Sequence, residues 1–131
     1  MTVSSEPAGY WAEVRAEGPV YGTNVTTQYV LGAFQTISPV LALRWLRGEA
    51  LRIADRLDPD PQCSAWARPW VRLDAVPTPD CPAELRVWAT DPEEYQAVRT
   101  RLRAGEPYST VVPDADCLYG LHVMPLPQGW A

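Results

Sequence analysis

Glu84-Leu85-Arg86-Val87-Trp88-Ala89-Thr90, followed at once by Asp91-Pro92, joins an alternating apolar run to a marked helix start. Leu85, Val87 and Ala89 recur with period two, as in a strand that buries one face. Asp91 then offers a carboxylate to orphan amides. Pro92, with no amide hydrogen and a pre-set φ, suits the first helical position. The same device occurs upstream, where Thr26 to Ile37, rich in β-branched and aromatic residues, runs into Ser38-Pro39. Each place is expected to be a strand leading into a helix.

Working outward, the first helix is expected from Pro39 to about Leu57. Leu43, Leu46, Ala50, Ile53, Ala54 and Leu57 keep helical spacing, while Arg44, Arg47, Arg52 and Arg56 point elsewhere as a solvated face. Trp45 lies off that stripe, and spacing alone leaves open whether it widens the core face or anchors a partner. Asp58-Pro59-Asp60-Pro61 stops the helix. Trp66 to Ala75 alternates like Glu84 to Thr90, and the Pro-rich segment between them is short enough for a hairpin. Asp91 and Glu94 resemble a capping box for a second helix that reaches about Ala104 and presents Tyr95, Val98 and Leu102, with Gly105 as its stop. Tyr108 to Val112 and Leu118 to Met124 read as strands, and Pro125 to Ala131 as a tail. Tyr10 to Glu17 alternates weakly and fits either an extra edge strand or a short helix, behind a flexible stretch over residues 1–8.

From Thr26 onward the expected order is strand, helix, strand, strand, helix, strand. This resembles the ferredoxin-like βαββαβ arrangement: an α+β domain over residues 9–131, with an antiparallel sheet, helices on one face and an N-terminal extension. The other sheet face is expected to stay open. Gly32, inside a strand, marks a bulge, a bend or a close backbone approach.

The chain has 131 residues and a net charge of −5; all 11 basic side chains are Arg, the usage of a GC-rich coding genome. The acidic balance opposes general attraction to nucleic-acid backbones or anionic lipid. Residues 1–8 lack the basic and apolar regions of a signal peptide, and no apolar run reaches the roughly 20 residues of a membrane span, so a soluble cytoplasmic protein is expected. Cys63, Cys81 and Cys117 show no CxxC spacing, and no metal or other cofactor is expected. In the hairpin reading Cys63 and Cys81 lie at opposite ends of a strand, roughly 30 Å apart at about 3.3 Å per residue. That is far beyond the roughly 7 Å a disulfide spans.

Strand alternation also assigns faces. Val71, Leu73, Ala75, Leu85, Val87 and Ala89 would meet the helices, leaving Trp70, Arg72, Arg86 and Trp88 on the open face. Tyr29, Leu31, Ala33 and Ile37 form the better core set on the first strand and leave Phe34 outside; Tyr119, Leu121 and Val123 do so on the last and leave His122 outside. Phe34, Trp70, Arg72, Arg86, Trp88 and His122 are therefore the expected binding surface of a protein-binding or regulatory domain. Its partner is expected to be another protein or a second copy of the chain. A cofactor-free enzyme, oxygenase-like or cyclase-like, is the alternative, with a small molecule between helices and sheet and His122, Tyr29 or an Asp as acid or base. Single-stranded nucleic acid stacking on Phe34 and Trp88 is a third reading, opposed by the acidic charge and by the missing glycine and aromatic spacing around Trp88. No nucleophile motif, phosphate loop or HExxH helix occurs. Asp114, Asp116, Cys117 and His122 are the densest group of reactive types, expected to be a polar turn before a strand.

Overall fold

The computed structural model describes residues 6–19, 22–58, 80–114 and 117–128. Their order is β1 (Gly9–Pro19), β2 (Thr26–Thr36), α1 (Pro39–Leu57), α2 (Cys81–Thr90), α3 (Pro92–Arg103), β3 (Tyr108–Pro113) and β4 (Leu118–Leu126). The fold is α+β: a four-stranded antiparallel sheet in the order β2-β1-β4-β3, with the helices against one face. Both expected helices form, α1 with Ser38 accepting from the Leu41 amide and α3 with Asp91 accepting from the Glu93 and Glu94 amides.

The βαββαβ order does not form, because Glu84 to Thr90 lies in helix α2 and is not a strand. Asp80 caps that helix by accepting from the Ala83 amide, and Pro82 sits in its first turn. Cys81, Leu85 and Ala89 are buried four residues apart, whereas Val87, which alternation placed in the core, is exposed. Asp91 ends α2 and starts α3; its extended ψ of 110° follows from the proline after it, which disfavours helical geometry there. The hairpin's other strand, Trp66 to Ala75, and Cys63 lie outside the described residues. With Cys81 in a helix, the geometric argument against a Cys63–Cys81 bridge no longer holds.

Strand β1 is central, paired with β2 on one side and β4 on the other, which corrects its reading as an edge strand or helix. Tyr10, Ala12 and Val14 on its inner face are buried in one core with Leu43, Leu46 and Ala50 of α1, Leu85 of α2, Leu102 of α3, and Leu121 and Val123 of β4. The hydroxyl of Tyr10 donates to the Leu102 carbonyl at 3.3 Å, tying the sheet centre to α3. Ala8 extends the pairing by donating to the Leu126 carbonyl at 2.7 Å.

On β2 the register shifts opposite Val14 and Arg15: Val14 faces Gly32, Arg15 faces Val30, and Leu31 is the extra residue of a bulge. Gly32 also provides the close approach. A Cβ there would lie 3.3 Å from Trp45 Cζ2, so the missing side chain lets the indole rest on the strand. Trp45 stacks on Phe34, ring centroids 5.8 Å apart and planes 16° from parallel, and thus widens the core face of α1.

Candidate functional site

Side chains of directly paired residues share a sheet face. Register therefore defines the face away from the helices. β1 gives it Trp11, Glu13, Arg15 and Glu17; β4 gives Leu118, Gly120, His122 and Met124; β3 gives Ser109 and Val111; β2 gives Gln28, Val30, Ala33 and Gln35. Among the described residues no helix packs on it, and Trp11, Val30, Val111, Leu118 and Met124 are exposed there. Trp11 and Met124 lie side by side at one end, and Leu118 lies beside Glu17 at the other. Val30 and Val111 flank the row of Arg15 and Gly120 on the outer strands, so polar groups on β1, β3 and β4 run between the apolar ones. Among these polar groups Arg15 Nε pairs with Glu13 Oε2 at 2.6 Å, and Ser109 Oγ shares a 2.6 Å hydrogen bond with His122 Nδ1 across β3 and β4.

His122 lies over Gly120, where a Cβ would collide with its Nε2. Burial, and then the Arg15 charge, hold the imidazole below its ordinary pKa, with Glu13 pulling the other way. At neutral pH the ring is thus uncharged, and the face carries the Glu13–Arg15 pair beside a neutral Ser–His pair.

Of the residues expected on this face, His122 is on it. Trp70 and Arg72 lie outside the described residues. Phe34 is on the helix side, because the bulge at Leu31 breaks the period of two that put Tyr29, Leu31, Ala33 and Ile37 in one core set. Leu31, Ala33 and Ile37 are exposed, and Tyr29, though paired opposite inward Ala16, is 63% exposed at the sheet edge. Trp88 and Arg86 belong to α2 and have structural work. The Trp88 indole donates to the Tyr108 hydroxyl at 2.7 Å, and that hydroxyl donates to Glu94 Oε1 at 3.0 Å. Burial raises the Tyr108 pKa, the Trp88 donor opposes this and the Glu94 carboxylate adds to it, so the phenol keeps its proton. Arg86 reaches the carbonyls of Ala54 and Asp58 at 3.4 and 2.8 Å and the carboxylates of Asp55 and Asp58 at 3.3 and 3.2 Å. It holds the C-terminus of α1, where the helix dipole favours a cation. With Phe34 against α1 and Trp88 on a helix, the base-stacking pair expected on central strands is not assembled.

Other chemistry-bearing groups are spread out or engaged. Arg47 donates from Nε to the Ala89 carbonyl and lies 5.0 Å over the Tyr95 ring, joining all three helices and leaving the expected solvated face. Cys117 precedes β4 and His122 follows five residues along it, about 17 Å away at roughly 3.3 Å per residue. Asp116 lies outside the described residues, and among those described no group of three potential ligands could hold a metal. Cys81 is a free thiol with no exposed surface, its pKa pushed up to about 11 by burial first and then by Asp114. A shallow cleft of about 390 Å³ lies along α2 between Asp80, Glu84, Val87, Trp88, Asp91 and Glu94. Three of its four carboxylates are committed, Asp80 and Asp91 as helix caps and Glu94 to Tyr108.

The face was only partly legible in sequence. Trp11 was missed because the weak alternation of β1 gave no sign that it is central, and its signal is the offset from Tyr10, Ala12 and Val14 by one residue; Met124 follows from the same period of two that put His122 outside. The chain matches no family model, no curated protein and no solved structure.

Proposed function

We propose that this chain is an interaction module that binds a protein surface through the open face of its sheet. The observation that carries the reading is the exposure of Trp11, Val30, Val111, Leu118 and Met124 on one face, around the Glu13–Arg15 and Ser109–His122 pairs. Apolar side chains exposed together on one sheet face mark interaction surfaces, and Trp and Arg, both present here, are the residue types enriched in binding hot spots. The Glu13–Arg15 pair adds orientation, since a partner must meet the two charges in one register while covering the apolar groups around them.

Trp11 is the residue to test. It stands on the central strand, opposite Gln35 and Met124, and its removal leaves the buried inner face of β1 untouched. Trp11→Ala is expected to keep its circular dichroism and to weaken partner binding by about 2 kcal/mol, roughly thirtyfold. The comparison is made by titrating wild type and variant against whatever protein co-purifies with the wild type, its own second copy included. Unchanged affinity in the folded variant would overturn the reading.

A further inference from the structure

We infer that the edge of β2 is a strand-pairing surface, and that its occupant is β2 of a second copy of this chain. This surface is distinct from the open face. It is the row of backbone amides and carbonyls along the outer side of the sheet's first strand, which among the described residues pairs with β1 alone. Sheet edges are normally blunted by charge, proline or short length. The other edge shows this: β3 spans six residues and ends in Pro113. β2 spans eleven, contains no proline and no charged residue, and its one protective feature is the bulge at Leu31.

The missing charge extends beyond the strand. Gly18 to Leu43 holds no charged residue, in a chain with 11 basic and 16 acidic side chains. In a strand paired with its own copy about a twofold axis, a charge at or next to the axis meets its own copy, and opposed like charges destabilise a sheet. β2 has none to oppose. Its exposed Thr26, Tyr29 and Val30 are instead hydroxyl, aromatic and β-branched types, which pair favourably across strands. The neutral strip also lets two copies, each at −5, meet where repulsion is least.

Geometry then fixes the assembly. Antiparallel pairing of one strand with its own copy requires a twofold axis perpendicular to the sheet, so the four strands of each copy join into one eight-stranded antiparallel sheet. The helices of both copies fall on the same side, and the two open faces merge into one surface of double width. Tyr29 and Val30, 63% and 57% exposed in the single copy, gain cross-strand neighbours at the junction.

The test is the subunit count of the full chain by native mass spectrometry and light scattering over a wide concentration range, for wild type, Tyr29→Lys and Val111→Lys. Tyr29 lies at the β2 edge on the helix side of the sheet; Val111 lies on the open face at the far edge. The expected result is a wild-type dimer whose dissociation constant rises at least about tenfold in Tyr29→Lys, by loss of ring contacts and the placing of a cation at the junction, and is unchanged in Val111→Lys. Dissociation by Val111→Lys and not by Tyr29→Lys would place the junction on the open face and overturn the proposal. A wild-type monomer throughout would also overturn it, while leaving the open face to a different protein. Hydrogen exchange on the wild type decides independently of whether the variants fold. Outward β2 amides are expected to be protected wherever the dimer is populated, and outward β2 amides that exchange freely at the highest concentration would refute the pairing.

Discussion

The neutral form of His122 is favoured by its surroundings on three strands. Its ring lies over Gly120, shares a hydrogen bond with Ser109, and is shifted down in pKa by burial and by Arg15. As pH falls through about 6.5 the unfolded chain takes up the proton first, so stability declines from there to the lower folded-state value; above about 6.5 neither state is protonated and the contribution is complete. The melting temperature is therefore expected to fall on acidification from about pH 7.5 to about 5.5 in the wild type, and by less in His122→Gln. In Gly120→Ala the added methyl group turns the ring toward water, and an NMR titration should find its pKa moved up toward the ordinary value. If the His122 pKa is the same in wild type and Gly120→Ala, burial against that glycine is not its cause.

Helix α2 shows how one short element ties its neighbours together. Arg86 on one side holds the last carbonyls of α1, while Trp88 on the other stacks on Tyr108 with ring centroids 6.3 Å apart and donates to its hydroxyl. Arg86→Ala is expected to cost about 2 kcal/mol in denaturant unfolding, the scale of hydrogen bonds from a charged donor, and to speed amide exchange in the last turn of α1. Arg86→Lys should recover little of this, because a single ammonium cannot reach carbonyls and carboxylates with a planar fork. The same element was the hardest to read. Leu85, Val87 and Ala89 satisfy a period of two, and Cys81, Leu85 and Ala89 equally satisfy a turn-by-turn helical period. The Asp80 cap and Pro82 favoured the helix, but a Pro-rich run before an alternating segment looks equally like a turn. By contrast α1 and α3 were legible because a cap, a proline and a periodic run agree at each.

One core joins both halves of the chain, from Tyr10 on β1 through Leu46 on α1 and Leu102 on α3 to Val123 on β4, and no part of the sheet has a separate one among the described residues. Thermal or denaturant unfolding is accordingly expected to be a single transition, with far-ultraviolet circular dichroism and tryptophan fluorescence coinciding; separated midpoints would show that β1 and β2 open independently of the helices. Local sequence was enough for the starts of α1 and α3, the positions of β2, β3 and β4, the inward set Tyr119, Leu121 and Val123, and the placing of His122 opposite them. Those features depend on neighbours within a few residues, through capping, proline geometry and side-chain period. Tertiary structure alone decided that β1 is central, that Glu84 to Thr90 is helical, and that Phe34 and Trp88 pack inward. Each of those outcomes depends on which distant segment supplies the pairing strand or covers the apolar side, and a period in one segment carries no record of its partner.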